Sequence, residues 1–368
     1  MSQTIVSGIG HWGEALASLR FHKVMLVVGS TFKRSQLGQV VLDSLQVPYV
    51  VFDQYTPNPL YEDVCKGVEL FNREACDAII AVGGGSCMDV AKCIKLFCKM
   101  DHARNYLEQE PFDTQVPLVA IPTTAGTGSE STRFAVIYYQ GTKQSVNHPS
   151  IIPNVAVLEP SVLEALPQYQ KKCTVMDAYC QAIESWWSVN ATPESQQLSG
   201  QAIKILTNKI LPYTQGFADS AMLAEVMRGA NLAGQAINLT QTTAPHAFSY
   251  KLTSLYQLPH GHAVAVCLPK IWRYMLEFPE KCIDPRGSAY LLDVFAHIAQ
   301  AMDCATALEA VQKYEAMMCI MGLGNPTSAQ RQHDLEVLAT SVNPVRLKNN
   351  PVALDDAAIL SLYSSIIQ

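Results

Sequence analysis

Short β-branched runs alternate with helix-like segments through the first 160 or so residues: VMLVVG (24–29), PYVVFD (48–53), DAIIAVGGG (77–85), PLVAIPTT (117–124) and NVAVLEP (154–160). That rhythm predicts βαβ units and a mainly parallel sheet. After Pro160 the texture changes to long stretches rich in Ala, Leu, Gln and Glu with helical periodicity, and strand-like runs become scarce. The pattern therefore predicts an α/β domain over 1–160 and an all-α domain over 161–368. With no internal repeat or low-complexity linker, the two halves are expected to pack with a cleft for a small molecule between them.

Composition adds exclusions. At 368 residues with 49% apolar positions, the chain can bury a sizeable core. A net charge of −6, with Lys and Arg scattered, gives no electrostatic footprint for nucleic acid or for an anionic membrane. Eleven cysteines without a regular framework, and a start without a basic, apolar leader, predict a reducing compartment. No apolar run reaches membrane-spanning length, so the expectation is a soluble, cytoplasmic protein. Cys87, Cys173 and Cys180 lie near the motifs below, and each reads as a small buried hydrophobe before it reads as a ligand or nucleophile.

The third strand-like run leads into Gly83, Gly84, Gly85 and Ser86, then a helix carrying Asp89 and Lys92. Glycines allow close backbone approach, and the following helix offers free N–H groups and its positive dipole end to a phosphate. Three in succession are more than a plain βα turn needs, although the run is not GxGxxG. The next strand ends in Thr123, Thr124, Thr127, Gly128 and Ser129, a second polar loop at the same predicted sheet edge. By itself it reads equally well as a solvated turn.

In the helical half, Asp177 and Gln181 stand at i and i+4 on one helix face, and His246, His260 and His262 follow within seventeen residues. A lone histidine is usually structural. A carboxylate with several imidazoles can instead converge on one divalent ion, with zinc, iron(II) and manganese all suited to such ligands. Gln181 is the weak member, because its amide oxygen is neutral.

Taken in order, NPLYEDV (58–64), GGGSCMDVAK (83–92), PTTAGTGSE (122–130), PNVAVLEPSVLEALP (153–167), MDAYCQAIES (176–185) and PHGHAVAVCLP (259–269) resemble the iron-containing (group III) alcohol dehydrogenase family. The resemblance covers nearly the whole chain. It implies the fold shared with dehydroquinate synthase: a Rossmann-like NAD(P)-binding domain followed by an all-helical metal-binding and substrate domain. It also implies a metal-dependent NAD(P)H aldehyde reductase, reversible as an alcohol dehydrogenase, with NAD(P)H and one Fe2+ or Zn2+ as cofactors. By the same resemblance Gly83, Gly84, Gly85 and Ser86 hold the pyrophosphate, with Asp89 in the same cofactor segment. Thr123, Thr124 and Thr127 line the nicotinamide side, and Lys143 lies nearby. Asp177, His246 and His260 fall on metal-ligand positions and are the catalytic candidates. Family habit implies a homodimer.

Three departures stand out. Gln181 replaces a fourth, histidine ligand found in many members, and it could still reach the ion through its carbonyl or a water. Ser30 replaces the aspartate with which NAD-preferring relatives hold the ribose; beside Lys33 and Arg34 it leaves NADH and NADPH both open. Tyr250 stands where many members carry a proton-relay histidine, a role His262 or Tyr250 could fill. The runs CQAIESWWSVNATPES, TTAPHAFSYKLTSLYQLPHGHA and SVNPVRLKNNPV look similar to the branch that includes phosphonoacetaldehyde reductases. A small phosphonate aldehyde would need a cationic clamp, for which Arg133 and Lys251 are candidates. The alternatives are a dehydrogenase for another small alcohol or polyol, a cyclase of the dehydroquinate synthase kind, and a catalytically degenerate nucleotide-binding member.

Overall fold

A computed structural model describes residues 3–342 and 344–368, residue 345 by its backbone only; Met1, Ser2 and Asn343 of the SVNPVRLKNNPV run lie outside the described residues. The chain divides into two compact units, Met1–Ala165 and Leu166–Gln368.

The first unit is built on a parallel sheet. Its strands in chain order are β1 (Thr4–Ser7), β2 (Val24–Val28), β3 (Tyr49–Phe52), β4 (Ala78–Gly83) and β5 (Leu118–Pro122), then a hairpin of β6 (Phe134–Tyr139) and β7 (Thr142–Asn147), and finally β8 (Val155–Leu158). The sheet order is β1-β8-β5-β4-β2-β3, every pair parallel. The strand runs are continuous in apolar residues because both faces are covered. Met25, Val27, Ile79 and Ala81 join one core with Val90 and Ile94 of the helix Gly85–Phe97. Their neighbours Val24, Leu26, Ile80 and Val82 join a second core on the opposite face.

After β2 the chain moves outward to β3, then returns to lay β4 on the other side of β2 and continues to β5. Winding reverses between β2 and β4, and a parallel sheet binds ligands at the carboxyl ends of strands flanking such a point. The loops after β2, β4 and β5 are the three that the sequence singles out.

The parallel sheet and the helical second half agree with expectation. Two features were not anticipated: the edge strand β1, which buries only Val6, and the antiparallel β6–β7 hairpin. The hairpin turns at Gln140 and Gly141, both at positive φ (50° and 73°), a two-residue connection whose glycine was not read as a turn signal.

Among the described residues of the second unit the regular elements are helices, apart from one isolated bridge, Cys282 to Val352. The helix Gln168–Trp187 is buried on all sides from Val175 to Ser185, as expected of a helix surrounded by others rather than lying on a surface. No helix among the described residues is long and apolar enough to cross a membrane.

Candidate metal centre and cofactor loops

Asp177, Gln181 and Glu184 follow one another at i, i+4 and i+7 on the helix Gln168–Trp187, and all three are buried. An isolated carboxylate at the fully buried Glu184 would be costly. It is not isolated: Oε2 accepts hydrogen bonds from the Thr243 backbone N–H at 2.8 Å and from the Thr243 hydroxyl at 2.9 Å. Oε1 accepts from Nδ1 of His246 at 2.5 Å. One side chain thus closes the N-terminus of the helix Ala244–Tyr256 and fixes the ring of the histidine in its first turn.

With Nδ1 engaged, His246 presents Nε2 to Asp177, 3.3 Å from Oδ1. That oxygen is buried and makes no geometrically formed hydrogen bond despite the short approach, as when two groups point at a common position beside them. His260, the first residue of the helix His260–Glu277, completes the cluster: Asp177, His246 and His260 each offer a ligand atom, all within 4.8 Å of one another. The contact depends on Gly261, where an added Cβ would lie 1.9 Å from the Cys173 carbonyl oxygen and 2.9 Å from the Asp177 Cβ.

Burial would lower the His246 pKa, but the negative charges of Glu184 and Asp177 and the hydrogen bond to Glu184 outweigh it and raise the value to about 9. For Asp177 burial acts upward, and His246 and His260 outweigh it, leaving the carboxyl below its usual range. Two imidazoles, a carboxylate with an oxygen outside the hydrogen-bond network, and a second carboxylate behind one imidazole fit a divalent ion. Gln181 hydrogen-bonds to Asp177.

His262 is engaged elsewhere. Its Nδ1 pairs with the Tyr169 hydroxyl at 2.8 Å and its Nε2 with the Gly324 carbonyl at 2.9 Å, which leaves neither ring nitrogen to relay a proton. Tyr250 stacks on His260, ring centroids 6.0 Å apart at 12°; burial raises its pKa, so it holds its proton at neutral pH. Behind it stands Arg346, hydrogen-bonded to Tyr250 and donating from Nη1 to Gln241 Oε1 at 2.8 Å. Lys251 follows Tyr250 on the same helix, about 100° around its axis. Arg133, in the first unit, lays its guanidinium over Phe134 at 5.4 Å. The sequence reading missed Glu184 and Arg346, although Glu184 continues the Asp177–Gln181 face.

In the first unit the Thr123 N–H donates to the Gly83 carbonyl at 3.0 Å, joining the loops after β4 and β5. Gly83 and Gly85 are required by packing: a Cβ would meet Cys87 Cβ at 2.5 Å at the first and Thr127 Cγ2 at 2.9 Å at the second. Gly84, the N-cap of the helix Gly85–Phe97, differs, since a Cβ there meets only Thr124 at ordinary contact distance. A bare backbone at a helix N-terminus, with no neighbour closer than ordinary contact, fits a phosphate. Ser86 accepts from the Asn58 N–H at 3.3 Å.

Asp89 is part of the scaffold: Oδ1 accepts from the Ser129 hydroxyl at 2.9 Å and Oδ2 from the Val136 N–H at 3.0 Å. Lys92 donates to Ser129, Thr132 and the Phe134 carbonyl, and Lys143 acts electrostatically on Asp89. Ser30 is exposed. Its neighbour Lys33 pairs with Asp53 at 3.6 Å, so a carboxylate just after β3 offsets the charge of the lysine. Cys87, Cys173 and Cys180 are buried, and burial raises each thiol pKa.

The model of the iron-containing alcohol dehydrogenase family matches residues 2–160, and that of the Fe-containing alcohol dehydrogenase family, C-terminal, matches 172–367. The chain belongs to the iron-containing alcohol dehydrogenase family. It is an NAD(P)-dependent, metal-dependent oxidoreductase of the alcohol dehydrogenase type. It is 31% identical over 350 residues to the phosphonoacetaldehyde reductase of Streptomyces viridochromogenes, covering 91% of this chain and 88% of that one. Its structure is similar to that of sulfoacetaldehyde reductase from Bifidobacterium kashiwanohense in complex with NAD+, with a TM-score of 0.86 and 25% identity over 99% of this chain and 96% of that one. It is equally similar to a 1,3-propanediol oxidoreductase, with a TM-score of 0.87 and 26% identity over 99% and 97% of the two chains.

Proposed function

We propose that this dehydrogenase works as an NAD(P)H aldehyde reductase whose substrate is an acetaldehyde bearing an anionic oxyacid group, with phosphonoacetaldehyde, reduced to 2-hydroxyethylphosphonate, as the leading candidate. The carrying observation is the buried Asp177–His246–His260 cluster with Glu184 behind it. The substrate class is supported by the likeness to enzymes named for phosphonoacetaldehyde and sulfoacetaldehyde.

Asp177, His246 and His260 would hold the divalent ion, with Gln181 beside Asp177. The backbone of Gly83, Gly84 and Gly85, with Ser86, would hold the cofactor pyrophosphate, and Thr123, Thr124 and Thr127 would border the nicotinamide. When bound, the ion supplies a Lewis acid for the aldehyde oxygen and the nicotinamide supplies the hydride. Glu184 keeps the His246 ring in one orientation, with Nε2 directed at the ligand position. Asp177 contributes negative charge that offsets the cation in a poorly solvated site. Tyr250, protonated and stacked on His260, would return a proton to the product oxygen, or exchange one with water.

The test is to purify the protein anaerobically, measure bound metal, and follow NADH and NADPH oxidation with phosphonoacetaldehyde and with simple aldehydes, for wild type and His260→Ala. Metal-dependent turnover lost in the variant is the expected result. Metal-free protein with no turnover on any aldehyde would overturn the reductase reading.

A further inference from the structure

Arg346 lies in the short helix Pro344–Leu347, far in sequence from every metal-ligand candidate. Its Nη1 donates to Gln241 Oε1 at 2.8 Å, and its guanidinium hydrogen-bonds to Tyr250, whose ring stacks on His260. A cation is thereby held one side chain away from a ligand of the metal cluster.

The partners of that cation are a carboxamide and a phenol, both neutral. Among the described residues Arg346 makes no ion pair with a carboxylate, whereas Arg273 and Arg286 of the same unit are paired with Glu315 and Asp284. Gln241, its support, sits at positive φ (61°) just after the helix Ser220–Thr240, so the arginine is held by a backbone position that few side chains adopt readily. A half-buried guanidinium anchored by neutral groups keeps its full charge and part of its fork of donors for an incoming anion.

We infer that Arg346, oriented by Gln241 and Tyr250, binds the anionic head of the substrate while its carbonyl lies at the Asp177–His246–His260 cluster. The inference rests on the proposed substrate class and names the residue that would enforce it. Arg346 takes the role for which Arg133 and Lys251 are the candidates by sequence. Arg133 is stacked on Phe134, and Lys251 leaves the helix in a direction different from Tyr250.

The experiment compares wild type, Arg346→Met and Arg346→Lys in two assays. The first is the ratio of kcat/KM for phosphonoacetaldehyde over propanal. The second is calorimetric binding of methylphosphonate to the metal-loaded protein without cofactor. Loss of a charge-assisted contact should lower the ratio about 10- to 100-fold in Arg346→Met, mostly through KM, and abolish methylphosphonate binding. Arg346→Lys should recover part of both. Equal losses on the two aldehydes, or undiminished methylphosphonate binding in Arg346→Met, would overturn the role of Arg346 while leaving the reductase reading standing. A wild type that reduces propanal readily and phosphonoacetaldehyde no better would overturn the substrate class, and the inference with it.

Discussion

Nδ1 of His246 donates to Oε1 of Glu184 at 2.5 Å, and the same carboxylate takes the Thr243 N–H and hydroxyl through its other oxygen. Glu184 therefore couples helix capping to the aim of a candidate metal ligand. Glu184→Gln keeps an acceptor for Thr243 but removes the charge behind the imidazole. Metal affinity should fall about 10- to 100-fold, as is usual for such outer partners, and the metal-free melting temperature should fall as well, because the buried His246 loses the charge that supports its protonated form. Metal titration against a competing chelator reads the first, and thermal unfolding in the chelator alone reads the second. Unchanged affinity would show that His246 needs no charged support.

The helices Gln168–Trp187 and His260–Glu277 touch at Gly261, where there is no room for a methyl group against the Cys173 carbonyl. Gly261→Ala should separate them, costing about 1–3 kcal/mol as overpacking does and displacing His260 from Asp177. Gly13→Ala, where a Cβ meets nothing within 4 Å, is the matched control and should be neutral or slightly stabilising because alanine favours a helix. Urea unfolding of the two variants with and without metal separates the effects: only Gly261→Ala should lose the extra stability that metal confers.

The strand runs were legible because double burial writes continuous apolar segments into the sequence, and the glycine and threonine loops were legible because they follow those runs directly. The candidate ligand trio was legible as residue types, but the reason it converges was not. Gly261 counts only as part of a motif until the close helix contact is seen, and Glu184 lies in the quoted MDAYCQAIES run without being read, because a buried glutamate looks like any helix glutamate in a string. His262 was grouped with the ligands by its spacing; the partners that take both its ring nitrogens, Tyr169 and Gly324, are distant in sequence. Arg346 is farther still, and no local pattern connects it to Tyr250.

Gly84 allows the cofactor assignment to be tested apart from folding. Its φ of −82° suits any residue, and a Cβ would find only ordinary contact with Thr124. Gly84→Ala should therefore keep wild-type stability while its methyl occupies the space proposed for the pyrophosphate, weakening NADH and NADPH binding by about tenfold or more, on the order of 1.4 kcal/mol. Quenching or enhancement of nicotinamide fluorescence on titration gives the constants. Undiminished binding would place the phosphates away from this loop.

Lys92 offers a pH test of the scaffold beneath that loop. Burial is the largest influence on it and lowers its pKa to about 8, against partial compensation from Asp89 and Glu130. A lysine with a depressed folded pKa binds fewer protons folded than unfolded between that value and its ordinary 10.5. Raising the pH through this window therefore favours the folded state, a contribution fully developed only above the unfolded value. Lys92→Met removes the group and its three donated hydrogen bonds, so the variant should be less stable overall yet lack this upward term. Between pH 7.5 and 9.5 the gap in unfolding free energy between wild type and Lys92→Met should widen by on the order of 1 kcal/mol, read by urea denaturation at constant ionic strength. The difference between the two proteins cancels the buried tyrosines and thiols, whose raised pKa values act in the opposite direction. A gap that stays constant would mean that Lys92 remains fully protonated throughout, its three acceptors outweighing the cost of burial.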